Sequence, residues 1–198
     1  MEESKIFDFI DQVYEIISDY NFDYRNSKPK LINLRNEILN NNFDKNAYFY
    51  QLIATIEYFI HLSHSENSPY QSLLPKKDQI YDCFKMSLRL DNDNPPLQFL
   101  FALYLYNTGK FLDAKKQLLE INYNYYKDLN LDDRISKIKE LILCCNIFLD
   151  KAFENDIINF IKEIVLTEYI FPTDLILTLS NNPSYYTDNV KMELSRLQ

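Results

Sequence analysis

Glycine is almost missing from this chain: 198 residues contain one, Gly109, together with no tryptophan, two histidines and three cysteines. A single glycine excludes the phosphate-cradling loops, the Gly-x-Ser-x-Gly nucleophile elbow and the dinucleotide fingerprint, all of which need several. It also leaves few places for tight β-hairpin turns, and valine, which favours strands, is scarce. An all-α chain is the expectation. The cysteines, Cys83, Cys144 and Cys145, are odd in number and two are adjacent. That pattern fits reduced thiols rather than a disulfide framework, and it lacks the two-residue spacer of a redox pair or zinc knuckle. No apolar run approaches the roughly 20 residues of a membrane span, and the opening Met1-Glu2-Glu3-Ser4-Lys5 is acidic where a secretory leader is basic. The protein is therefore expected in the cytoplasm, with no membrane partner.

What is present points to helices and to a protein partner. The chain is 46% hydrophobic, enough for a sizeable core, and carries a net charge of −8. That charge argues against a nucleic-acid partner, because neutralising phosphates needs clustered lysine and arginine; a basic protein or peptide is the better electrostatic match. Ile6, Phe9, Ile10, Val13, Ile16, Ile17 and Tyr20 recur at three- and four-residue steps and predict an amphipathic helix over 3–20. Residues 21–29, with Asn21, Asn26, Ser27 and Pro29, read as a loop, and Leu31, Leu34, Ile38 and Leu39 as a shorter helix. Asp44 is a candidate cap for a third helix running to about His64, followed by a long loop over 65–75.

From Lys76 the pattern is more specific. A helical segment with Ile80, Phe84 and Leu88 ends in the acidic turn Asp91-Asn92-Asp93-Asn94-Pro95, and helical patterns then lie on both sides of Gly109. Glycine there can take the positive φ that ends one helix and lets the chain reverse into the next. Phe84 and Leu118 are 34 residues apart. The segment 76–122 resembles the tetratricopeptide repeat (TPR), whose period is 34 residues. Ala102 and Ala114 match the small residues of its two helices, Gly109 its turn and Phe111 the aromatic that follows, while Gln98 replaces the usual tryptophan. The resemblance implies antiparallel helical hairpins stacked as a short TPR-like solenoid or bundle, with the first helix of the repeat lining a binding surface. On that basis Gln98, Tyr104 and Asn107 are expected to face a protein ligand. Phe101, Ala102, Leu105, Phe111, Ala114 and Leu118 are expected to hold the hairpin together.

Beyond Asn122 the repeat pattern fades but helical periodicity continues, with short final helices able to start at Pro172-Thr173-Asp174 and Asn182-Pro183-Ser184. One continuous domain is expected, made of N-terminal helices (1–75), the TPR-like core (76–122) and C-terminal capping helices (123–198).

Asp8, Asp11, Glu15 and Asp19 follow one another at steps of three, four and four, so they share a helix face. Like charges four residues apart cost a helix about 0.2–0.5 kcal/mol per pair, and Asp19 near the C-terminal end opposes the dipole. A sequence selected for stability alone would gain from lysine there, so this stripe is the candidate docking surface for a basic partner. Neighbouring tyrosines such as Tyr48 and Tyr50, or Tyr125 and Tyr126, cannot all face one core, and surface tyrosine suits binding hot spots.

His61 and His64, near Glu57 and Glu66, are the basis for a catalytic or metal-binding alternative, but their spacing is not the i, i+4 pair of zinc helices. No catalytic residue, metal or cofactor is assigned, and the remaining carboxylates are expected on solvated faces. The expected function is a non-enzymatic protein-interaction module. One alternative is an immunity protein neutralising a toxin nuclease; the other is an all-α enzyme using His61 and His64.

Overall fold

The computed structural model describes residues 2–20, 24–41, 43–62, 77–166 and 172–197. Side chains at 2–4, 18–20, 24–26, 61–62 and 77–78 lie outside that description. The described residues form eleven α-helices, with two short 3-10 turns near the C-terminus and no strand. The chain is all-α. It divides into two compact units, 1–97 and 98–198.

The first unit contains α1 (Glu2–Tyr20), α2 (Tyr24–Asn40), α3 (Ala47–Leu62) and α4 (Lys77–Leu90). The apolar stripe of α1 packs on α2 and α3, and α4 packs on α3. Their shared core includes Ile6, Phe9 and Val13 from α1, Leu31 and Ile38 from α2, and Leu52, Ile56 and Ile60 from α3. Phe84 of α4 is fully buried and meets Tyr58 of α3 edge to face at 6.5 Å. Burying each such side chain stabilises the fold by about 1.5–3 kcal/mol relative to leaving it exposed.

Two local expectations are corrected here. α2 starts at Tyr24, inside the stretch read as a loop, and carries Pro29 in its second turn. Proline removes one backbone donor, but Pro29 faces solvent while its neighbours Ser27, Lys28 and Leu31 are buried, so tertiary packing holds the helix past it. The cap of α3 is Asn46 rather than Asp44: the Asn46 Oδ1 accepts from the Phe49 N–H at 3.0 Å. The same device opens α5 (Pro95–Asn107), where the Asn94 Oδ1 accepts from Leu97 N–H at 3.1 Å. Pro95 and Pro96 then occupy first-turn positions that lack an intrahelical donor requirement.

The unit boundary falls in the first turn of α5. The second unit holds the rest of α5, α6 (Phe111–Leu119), α7 (Tyr123–Asp128), α8 (Asp132–Phe148), α9 (Glu154–Val165), α10 (Thr173–Asn181) and α11 (Asp188–Leu194). α8 is its centre, packed by α6, α7, α9 and α10, while α11 lies on α9. Ala102, Ala114 and Leu118 are fully buried. At the α5–α6 hairpin Phe111 stacks on Phe148 with ring centroids 4.1 Å apart.

Gly109, at φ 76°, ends α5. Lys110 N–H donates to the Leu105 carbonyl and Gly109 N–H to that of Tyr106, the paired bonds of a Schellman cap. The same pair of bonds recurs at Asn130 after α7 and at Asp150 after α8, with φ of 55° and 52°. Three helices of this unit therefore end through a left-handed residue, and only one of the three uses glycine.

Candidate protein-binding surface and a buried polar seam

α1 turns Ile6, Phe9 and Val13 inward and leaves Phe7, Asp8, Asp11, Gln12, Tyr14 and Glu15 exposed. At 100° per residue, Tyr14 and Phe7 lie on one edge of this outer face, with Asp11, Glu15 and Asp8 following beside them. The acidic stripe thus has an aromatic border. Phe7, 47% exposed, meets Tyr48 of α3, 42% exposed, at a centroid distance of 5.2 Å and an interplanar angle of 59°. Tyr14, 52% exposed, lines a crevice between α1 and α3 with Ile10, Val13, Gln51, Leu52 and Thr55. The side chain of Asp19, the last member of the predicted stripe, lies outside the described residues.

Charge is concentrated on this helix. Residues 2–20 hold six acidic side chains and one lysine, whereas residues 21–97 hold nine of each sign. Neither Asp8 nor Asp11 enters an ion pair among the described residues.

The structure separates the three residues predicted on α5. Asn107 is exposed and Gln98 half-buried, but Tyr104 is only 1% exposed and cannot present its ring to a ligand. Phe99, Phe101, Ala102 and Leu105 are buried too, so α5 is apolar around most of its circumference and has no outward position at 104. Tyr104 belongs to the core.

The expectation that the remaining carboxylates are solvated fails at Glu140. This side chain of α8 is 0% exposed, and its Oε1 accepts from Leu175 N–H at 2.8 Å. Leu175 is the third residue of α10, whose cap position is Pro172, a residue with no side-chain acceptor. Glu140 therefore supplies the missing N-cap from another helix, at the positive end of the α10 dipole. Lys137, one turn earlier, donates to Glu140 Oε2 at 2.8 Å and also bonds Asp174. Burial disfavours the Lys137 charge, but its bonds to Asp174 and Glu140 outweigh that and raise its pKa. One turn further along α10, Tyr106 and Thr178 share a hydroxyl hydrogen bond of 3.1 Å, with Cys144 beside them. Lys137, Glu140 and Cys144 occupy one face of α8, and Asp174 and Thr178 one face of α10. A Lys–Glu pair at i, i+3 reads in sequence as a solvated pair; the only signal of burial was that Ile138, Leu141 and Cys144 surround it.

The first unit has a buried ion pair of a different kind. Arg35 of α2 meets Glu57 of α3 at 3.4 Å, leaving Glu57 Oε2 buried with no hydrogen-bond partner among the described residues. Burial raises the Glu57 pKa, and the Arg35 charge and hydrogen bond oppose the rise. His61 lies on α3 with its side chain outside the described residues, as are His64 and Glu66 altogether. Burial is also the first cause that pushes Cys83 up to about 11, with Glu57 and Asp82 adding to it, and Cys144 and Cys145 up to about 12. Such thiols are protonated at neutral pH and weak as nucleophiles.

Comparison with protein-family models, curated proteins and solved structures finds no match to this chain.

Proposed function

We propose that the protein is a non-enzymatic interaction module that binds a basic protein partner through the outer face of α1. The observation that carries this reading is the row of exposed carboxylates Asp8, Asp11 and Glu15 on one face of α1, bordered by Phe7, Tyr14 and Tyr48. Repulsion along the stripe works against folding, whereas against a basic surface the same charges speed encounter and fix orientation. The protonated thiols and the pairing of Glu57 with Arg35 favour binding over chemistry.

In this reading α4 to α6 are TPR-like. Full burial of Phe84, Ala102, Ala114 and Leu118, and the positive φ of Gly109, support that resemblance. Asn107 and Gln98 are then a secondary contact region, and the protein works in the cytoplasm. An immunity protein is a special case: carboxylates of α1 stand in for the phosphates of a toxin nuclease's substrate.

The test is capture of partners from native cells with the tagged full chain and with an Asp8→Lys, Asp11→Lys, Glu15→Lys variant, at low and high salt. The expected result is a stoichiometric basic protein lost in the variant and at high salt; toxicity of that protein when expressed alone identifies immunity. A partner retained equally by the variant contradicts the assignment.

A further inference from the structure

We infer that the α1 face selects arginine over lysine in its partner, so that the segment it takes is arginine-rich rather than merely basic. The inference rests on the reading of α1 as a docking face and adds to it the chemistry of the occupant. Its basis is the aromatic border, which charge alone does not require. Lysine and arginine are nearly equivalent to an exposed carboxylate stripe as point charges, but not to a carboxylate beside a ring. A guanidinium is planar and weakly hydrated, so it can lie on an aromatic face while its N–H fork pairs with a carboxylate. An ammonium keeps its hydration shell and offers no flat face.

Asp11 follows Phe7 and Tyr14 around the helix, within reach of a side chain resting on either ring. Phe7 and Tyr48 are tilted at 59° rather than stacked, and each keeps over two-fifths of its surface open. The crevice beyond Tyr14, with Gln51 and Thr55 on its wall, continues the same surface along α3.

The test is fluorescence anisotropy of labelled octa-arginine and octa-lysine peptides against the full chain at one ionic strength. Octa-arginine is expected to bind severalfold more tightly, the margin by which a guanidinium resting on a ring and paired with a carboxylate exceeds an ammonium at the same site. A Phe7→Leu, Tyr14→Leu, Tyr48→Leu variant keeps apolar bulk without any of the three rings. It should bring octa-arginine close to the octa-lysine affinity with a smaller loss for octa-lysine, whose ammonium also gains from a ring, and with a wild-type melting curve as the folding control. Equal wild-type affinities for the two peptides, both abolished by Asp8→Asn, Asp11→Asn, Glu15→Gln, would overturn arginine selection and leave acidic docking standing. A preference that persists in the leucine variant would remove the rings from the account. Absence of binding by both peptides, or binding indifferent to the carboxylate variant, would overturn the selection and the docking face together.

Discussion

The two units handle carboxylates in opposite ways. In the first, Asp8, Asp11 and Glu15 sit exposed on α1, and the buried Glu57 meets Arg35 through one oxygen while the other has no partner among the described residues. In the second, Glu140 is buried with both oxygens engaged, one by Lys137 and one by the N-terminus of α10. The difference separates charge that builds the fold from charge that the fold merely carries. Glu140 cannot be removed without orphaning the N-terminus of α10 and taking one of two carboxylate partners from Lys137. Asp8 and Asp11 of the α1 stripe are exposed and enter no ion pair among the described residues.

The largest effect should therefore come from Glu140. Glu140→Ala is expected to cost about 1–3 kcal/mol, the range for leaving a buried donor, here Leu175 N–H, without its acceptor. Glu140→Gln should cost less because an acceptor for Leu175 N–H remains. The Asp8→Asn, Asp11→Asn, Glu15→Gln variant should change stability by less than about 0.5 kcal/mol, as a relieved surface repulsion does. Urea unfolding followed by circular dichroism measures all three, and a triple variant as damaging as Glu140→Ala would break the contrast.

A second effect is alkaline. Because the folded-state pKa of Lys137 is raised above its ordinary 10.5, its contribution to stability is complete below that value and disappears as pH rises through the folded value. Melting temperature should fall with pH more steeply in the wild type than in Lys137→Met across that range. Parallel curves would mean that the seam carries no charge-dependent stability.

Smaller changes are expected at the three left-handed caps of the second unit. A Cβ on Gly109 meets nothing within 4 Å, so the cost of Gly109→Ala is conformational, about 1 kcal/mol. Asn130→Gly and Asp150→Gly should each stabilise by a few tenths to about 1 kcal/mol. Differential scanning calorimetry that found all three substitutions neutral would show that these turns are held by packing instead.

The smallest and most local contrast is between thiols. Half-buried Cys83 should react with iodoacetamide in the native protein before Cys144 or Cys145, and all three should react in urea. Peptide mass mapping reads the order, and early labelling of Cys144 would place an opening in the α8–α10 seam.

Much of this was legible beforehand for a physical reason: periodic burial writes itself into sequence. The α1 stripe, the Gly109 hairpin and the burial of Phe84 and Leu118 all follow from spacing. Asn130 and Asp150 were missed because asparagine and aspartate in a chain rich in both look like ordinary loop residues, although they tolerate the left-handed region better than most. Tyr104 was misplaced because a repeat register assigns a face without knowing how much of the helix is buried. Glu140 was invisible because its partner Leu175 N–H is a backbone group 35 residues away, and no side-chain pattern records the backbone.

The central claim is that α1 carries its charge for recognition and not for folding. The measurement that tests it most directly is thermal unfolding of the wild type and of Asp8→Lys, Asp11→Lys, Glu15→Lys, each with and without octa-arginine. The account predicts that the two chains melt together when alone, and that the peptide raises the melting temperature of the wild type only, by linkage. A charge-reversed chain that melts well below the wild type on its own, or a peptide that shifts both chains equally, would contradict it.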